Sequence, residues 1–246
     1  MGLASIVQRA ARLFGYQVIN PQRLGIDLQN DIIRLSAQEP VRVVLDVGGN
    51  VGQTACEYTS YFPQAQIYTF EPVPASFAKL QSAVANLPRV KAFQMAVGSS
   101  TGTVFMNVGD DSQLNSIVKV KDSTSVIEVP LDSLDHIVSS LSLDQIDLLK
   151  IDVEGFELEV LKGAVRLFAE KKVRFLVIEC ILQPNAEMPH TDFLDVLEVL
   201  NKAGFCCVTL YSQYFNLRLG STVVNALFAL KERLPAKVPG TLKNIA

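Results

Sequence analysis

The chain has 246 residues, 49% of them hydrophobic and 19% charged, and a net charge of −3 from 22 Lys plus Arg against 25 Asp plus Glu. Such a composition supports a sizeable core and excludes global disorder, and the near balance of charge argues against a dedicated nucleic-acid binder, which carries a basic surplus. Apolar runs are strand-sized, well short of the ~20 residues that span a bilayer as a helix. The four cysteines, Cys56, Cys180, Cys206 and Cys207, form no CxxC pair and read as buried, reduced thiols. Residues 1–20 lack the apolar stretch and cleavage pattern of a signal peptide, and Ile6 breaks the myristoylation pattern, so a cytoplasmic protein is expected.

In residues 1–40, Leu3, Ile6, Val7, Ala10, Leu13 and Phe14 fall at helical spacing, with Arg9 and Arg12 on the other side. This predicts an amphipathic helix within an N-terminal extension or cap. It either packs its stripe onto the domain or serves as a lid or a weak membrane-surface contact through residues 1–20.

From residue 41 short β-branched runs alternate with amphipathic segments. Strands are expected at 42–46, 66–70, 90–95, 146–151 and 174–178, with helices ending near Tyr61 and covering 75–87, 156–168 and 191–203. Another helix, capped by Asp132, runs to about Leu141, and segments 103–108 and 125–129 form an antiparallel pair around a polar insertion. Two closing strands, 205–210 and 225–230, are joined by a long polar loop. Strand–helix alternation predicts a mostly parallel sheet with helices on both faces, and the final strand pair an antiparallel edge. Residues 41–234 thus form the main domain, and 235–246 a loosely ordered tail.

Ligands of such sheets bind beyond the carboxyl ends of the strands. Four of those ends carry acids: Asp46 before Val47-Gly48-Gly49-Asn50-Val51-Gly52, Glu71 after Phe70, Asp152 and Glu154 in Lys150-Ile151-Asp152-Val153-Glu154-Gly155, and Glu179 after Ile178. Carboxylates gathered there call for a polar ligand. The glycine turn is not a dinucleotide fingerprint, because Asn50 and Gln53 stand where G-x-G-x-x-G needs glycine. Glu71 lies 19 residues past Gly52 at a strand end, which suits a ribose diol, so a ribose ligand without a pyrophosphate is indicated. Asp152 and Glu154, two apart, face one side of an extended chain. Asp152, Glu154 and Glu179 offer oxygen ligands to a divalent cation, but nothing fixes a coordination set, and no metal is assigned.

The ordered segments Asp46-Val47-Gly48-Gly49-Asn50-Val51-Gly52, Phe70-Glu71-Pro72-Val73-Pro74, Ala96-Val97-Gly98, Val129-Pro130-Leu131-Asp132-Ser133-Leu134-Asp135, Leu149-Lys150-Ile151-Asp152-Val153-Glu154-Gly155 and Leu161-Lys162-Gly163-Ala164 resemble the FkbM family of class I methyltransferases. The likeness runs from about Val41 to Cys180 and more loosely to Leu230. The family usually has Ala in place of Gly49. The resemblance implies a Rossmann-like three-layer α/β sandwich with a mostly parallel seven-stranded sheet and an antiparallel edge strand. It also implies S-adenosylmethionine as cofactor and O-methylation of a hydroxyl on a sugar, glycan or secondary metabolite. In that reading Asp46 orders the turn, Gly48, Gly49 and Asn50 border the methionine and ribose, and Glu71 holds the ribose hydroxyls. Ala96 and Val97 flank the adenine, Asp152 approaches the amino group, and Glu154 is the leading base for the acceptor hydroxyl, with His190 and Glu179 behind it; Glu154, Asp152 and His190 are the catalytic candidates. Asn115 and Ser116 in the polar insertion are positional candidates for a ligand contact. A nicotinamide-dependent oxidoreductase and a non-catalytic nucleoside-binding protein are the alternatives.

Overall fold

The structure is a computed structural model that describes residues 3–14, 23–37, 39–107, 126–183, 190–217 and 220–236. Asn115, Ser116 and most of the expected tail lie outside the described residues. Two helices, α1 (Leu3–Leu13) and α2 (Leu28–Leu35), precede β1 (Val43–Val47), α3 (Gln53–Tyr61), β2 (Gln66–Phe70), α4 (Pro74–Val84) and β3 (Val90–Phe93). Then come β4 (Ala96–Gly98), β5 (Gly102–Asn107), β6 (Val126–Ser133), α5 (Leu134–Ser140), β7 (Ile146–Ile151), α6 (Glu157–Lys162) and α7 (Val165–Ala169). The chain closes with β8 (Val173–Ile181), α8 (Phe193–Lys202), β9 (Phe205–Asn216), β10 (Ser221–Leu230) and a 3-10 turn at Lys231–Arg233.

A seven-stranded sheet has the order β3-β2-β1-β7-β8-β10-β9. β3, β2, β1, β7 and β8 pair in parallel, whereas β10 runs against both β8 and the edge strand β9. Alternation of side chains along the strands gives each face its own core. Leu45, Val47, Leu149, Ile151, Leu176 and Ile178 pack with α5–α8, while Val44, Ile67, Leu148, Phe175 and Val177 pack with α2–α4. The result is the three-layer sandwich expected. Helix α2 is part of it: Ile32 and Leu35 are buried in the second core, so the extension before residue 41 contributes to the packed body. The stripe of α1 does not: Ile6, Val7, Leu13 and Phe14 are exposed.

β5 and β6 pair antiparallel as expected, and β4 joins them in a small second sheet of order β4-β6-β5. Three expectations need correction. The helix expected over 156–168 is two helices, broken where a Cβ on Gly163 would lie 2.0 Å from the carbonyl oxygen of Gly98. Asp135 then caps the second piece, its carboxylate accepting from Arg166 N and Leu167 N at 2.9 Å each. The cap of α5 is Ser133, because Asp132 is engaged with Thr101 and His136. Residues 211–216 and 221–224 of the long polar loop expected after residue 210 are strand instead, so β9 and β10 form an antiparallel pair that rises beyond the carboxyl end of β8.

All four cysteines are free, with Cys180 buried and the others half-buried. Burial pushes the Cys180 thiol up to about 12, which keeps it protonated and unreactive.

Candidate active site

The parallel strands β1, β2, β7 and β8 bring their carboxyl ends to one edge of the sheet, and the acids read from the sequence collect there. At the end of β1 the chain turns on Gly48 (φ 93°), Asn50 (φ 45°) and Gly52 (φ 93°). Gly48 N and Gly49 N both donate to the Phe70 carbonyl, at 3.0 and 2.9 Å. A Cβ on Gly48 would lie 1.7 Å from the Asp152 carbonyl oxygen, so β1 and β7 close on each other only through a glycine. At Gly49 a Cβ would lie 2.2 Å from Thr69 Oγ1; in this chain a Thr hydroxyl fills the space that an Ala would need.

Asp46 is fully buried beneath this turn. Its Oδ2 accepts from Thr69 Oγ1 at 2.9 Å, and its Oδ1 makes no hydrogen bond but has Lys150 Nζ 3.8 Å away. Asp46 therefore supports the turn through Thr69 and does not line the ligand side. Burial raises its pKa, against the pull of Lys150. Lys150 is the partner that sequence reasoning missed. Burial works to lower its pKa, but Asp152, whose Oδ2 is 2.9 Å from Nζ, and Asp46 together raise it. A single Lys in the otherwise apolar Leu148-Leu149-Lys150-Ile151 run was the available signal, since a buried cation needs paired acids.

Glu71, nearly buried, is held by backbone. Its Oε2 accepts from Asn50 N and its Oε1 from Val73 N, both at 2.9 Å. Burial pushes its pKa up to about 7 against those two hydrogen bonds. The carboxylate ties the β1 turn to the start of α4 and retains lone pairs for a diol. Ala96 and Val97 open β4 and are buried, Ala96 in one apolar cluster with Val73, which follows the end of β2.

At the ends of β7 and β8, carboxylate oxygens of Asp152, Glu154 and Glu179 lie within 4.8 Å of one another. Glu154 takes a positive φ of 52° and is followed by Gly155 at 99°. That strained turn is fixed by Glu157, a second residue missed from sequence: its Oε1 accepts from Val153 N at 3.0 Å and Gly155 N at 3.2 Å, and its Oε2 from the Thr191 hydroxyl. Glu179 lies inside β8 and not at its end, because the strand continues to Ile181. Burial, then Asp152 and Glu154, push its pKa up to about 8. His190 precedes the Thr191 that reaches Glu157, and burial lowers its pKa. The fold thus brings Asp152, Glu154 and Glu179 together, with His190 on the neighbouring segment.

One further side chain belongs to this end. Val223 pairs with both Ile181 and Tyr214, and Asn225 pairs with both Glu179 and Tyr211, with a one-residue bulge in β9 between Tyr211 and Tyr214. Directly paired residues share a face, so the bulge turns Tyr214 to the same side as Glu179 and Asn225. Its phenol is raised by burial and by Glu179, Glu154 and Asp152. Nothing in the sequence announces a bulge there.

The cradle fits the nucleoside and amino-acid parts of S-adenosylmethionine: a turn closed to a Cβ, a backbone-held acid for a diol, and an acid paired to a buried Lys. Residues 46–207 match the methyltransferase FkbM domain. The 2-O-methyltransferase NoeI of Sinorhizobium fredii is 28% identical over 214 residues, covering 80% of this chain and 86% of that protein. The hexuronic acid methyltransferase AglP of Haloferax volcanii is 32% identical over 154 residues, covering 61% of this chain and 62% of that protein. The 31-O-demethyl-FK506 methyltransferase FkbM of Streptomyces tacrolimicus is 27% identical, covering 50% and 60%. The family match spans most of the chain and sets aside the nicotinamide alternative: this chain belongs to the FkbM family of S-adenosylmethionine-dependent methyltransferases.

Proposed function

We propose that the protein methylates a hydroxyl group of a neutral sugar, glycan or small metabolite. The observation that carries this reading is the group of three carboxylates, Asp152, Glu154 and Glu179, within 4.8 Å of one another beside the glycine cradle. When bound, the cofactor supplies an electrophilic methyl on sulfonium, and in-line transfer then asks the protein mainly to align the acceptor. Glu71 accepts from the ribose hydroxyls while the Gly48–Asn50 backbone bounds the ligand. Asp152, oriented by Lys150, receives the amino group. Glu154, presented by its strained turn, takes the proton of the acceptor hydroxyl. Glu179, with a pKa near 8, holds a proton at neutral pH and donates to an acceptor oxygen. His190, neutral because burial lowers its pKa, is the alternative base.

The same carboxylates narrow the acceptor. An anionic acceptor would bring a like charge against an acid-rich, half-buried site, which is unfavourable. This sets the acceptor apart from the hexuronic acid in the name of the Haloferax relative. Tyr214, on the same face, offers an aromatic surface for a sugar ring. Incubation with methyl-labelled cofactor and three glycosides tests the reading: methyl glucoside, methyl glucosaminide and methyl glucuronide. Label in a base-stable ether on a neutral or amino sugar is expected. Label only on an amine, or only as a base-labile ester of the glucuronide, would overturn it.

A further inference from the structure

Helix α1 and the residue after it present apolar side chains that are exposed among the described residues. Leu13 and Phe14 are 82% and 78% exposed, Ile6 and Val7 are also exposed, and so is Arg9 on the opposite side. An isolated helix of 11 residues is marginal in water, so such a helix gains from a surface on which to lie. Charge indicates which surface. Residues 1–26 contain Arg9, Arg12 and Arg23 and no Asp or Glu. With three positive charges there, a total of −3 leaves −6 on the rest of the chain. This basic, amphipathic stretch beside an acidic body matches an interfacial helix: apolar side chains enter the acyl boundary and arginines meet anionic headgroups. A second copy of the chain fits less well, because symmetric pairing sets one basic helix against another.

We infer that α1 lies on anionic membrane surfaces and holds the enzyme there reversibly. Among the described residues no helix is long and apolar enough to cross a membrane, so the contact is a lying-on one. The inference is independent of the acceptor assigned above. Its test is co-sedimentation of the full chain with vesicles of phosphatidylcholine, alone or mixed with phosphatidylglycerol. Anionic lipid should raise the bound fraction at least about fivefold, with most of the gain lost in about 0.5 M salt. In the full chain carrying Leu13→Glu and Phe14→Glu, binding should fall roughly tenfold, since two charges replace buried apolar area. S-adenosylhomocysteine binding should be unchanged in that variant, showing that it is folded. A wild-type chain that stays in the supernatant with anionic vesicles, or a double variant that sediments like wild type, would overturn the inference. So would a concentration-dependent dimer that the variant loses without any lipid binding, which would assign the face to a second copy.

Discussion

The end of β1 and β2 is held by backbone, and the end of β7 and β8 by charge. In the first region two amides converge on the Phe70 carbonyl and two more on the Glu71 carboxylate, so position follows from chain geometry. In the second, Lys150 sits between Asp46 and Asp152, and Glu179 and Glu154 crowd the latter; here position and protonation depend on one another. In the proposed reading the first region holds the cofactor and the second meets the acceptor.

Substituting Gly48 should have the largest effect. Gly48→Ala places a Cβ on the Asp152 carbonyl and a side chain at φ 93°, and should destabilise the protein by at least about 3 kcal/mol. Thermal unfolding would show a drop of roughly 10 °C, with cofactor binding lost; a melt like that of wild type would mean that β1 and β7 are not closed as described.

For the charged half, Glu154→Gln keeps the shape of the side chain but not its basicity. Turnover on an identified acceptor should fall about 100-fold or more with cofactor affinity unchanged. If turnover persists, the base lies elsewhere, and His190→Ala is the next variant.

Glu71→Gln probes the backbone-held half. Neutral hydrogen bonds replace charged ones and one of the two amides loses its acceptor, so S-adenosylhomocysteine affinity should fall roughly 10- to 100-fold by calorimetry. Glu71→Ala is the poorer probe, because it strands both the Asn50 and Val73 amides. Equal affinities for Glu71→Gln and wild type would remove Glu71 from the ribose site.

The smallest effect sharpens the contrast. Glu179 titrates near 8 in the folded protein against an ordinary 4.5, so between those values the folded state holds a proton that the unfolded state has lost. Stability therefore falls as pH rises from about 4.5 to about 8. Glu71, raised to about 7, acts with the same sign over a narrower window. Glu179→Gln should flatten the decline and raise the melting temperature by a few degrees at pH 8. An unchanged pH profile would indicate that Glu179 is not crowded by Asp152 and Glu154.

Much of the first region was legible in the sequence, because glycines and acids at strand ends report backbone requirements that are local. The Asp46-to-Gly52 turn and Glu71 fall where expected, although Asp46 acts from beneath through Thr69. The Leu161-to-Ala164 and Asp132-to-Asp135 segments belong to the same family pattern, yet they serve packing: Gly163 presses on β4 and Asp135 caps α7. The second region was only partly legible. Lys150 is defined by Asp46 from β1 together with Asp152 just past β7, Glu157 by amides and a hydroxyl that the chain brings to it by folding, and Tyr214 by a bulge. The polar residues after 210 resembled a loop because an edge pair of strands that projects past the core needs no apolar alternation.

The central claim, that the cradle of Gly48, Asn50, Glu71 and Asp152 binds the cofactor of a methyltransferase, is tested most directly by titration calorimetry of the full chain with S-adenosylhomocysteine, with NADH in parallel. One site of micromolar affinity is expected for the former and no heat with the latter. A folded protein that gives no heat with S-adenosylhomocysteine, or that binds NADH in its place, would contradict it.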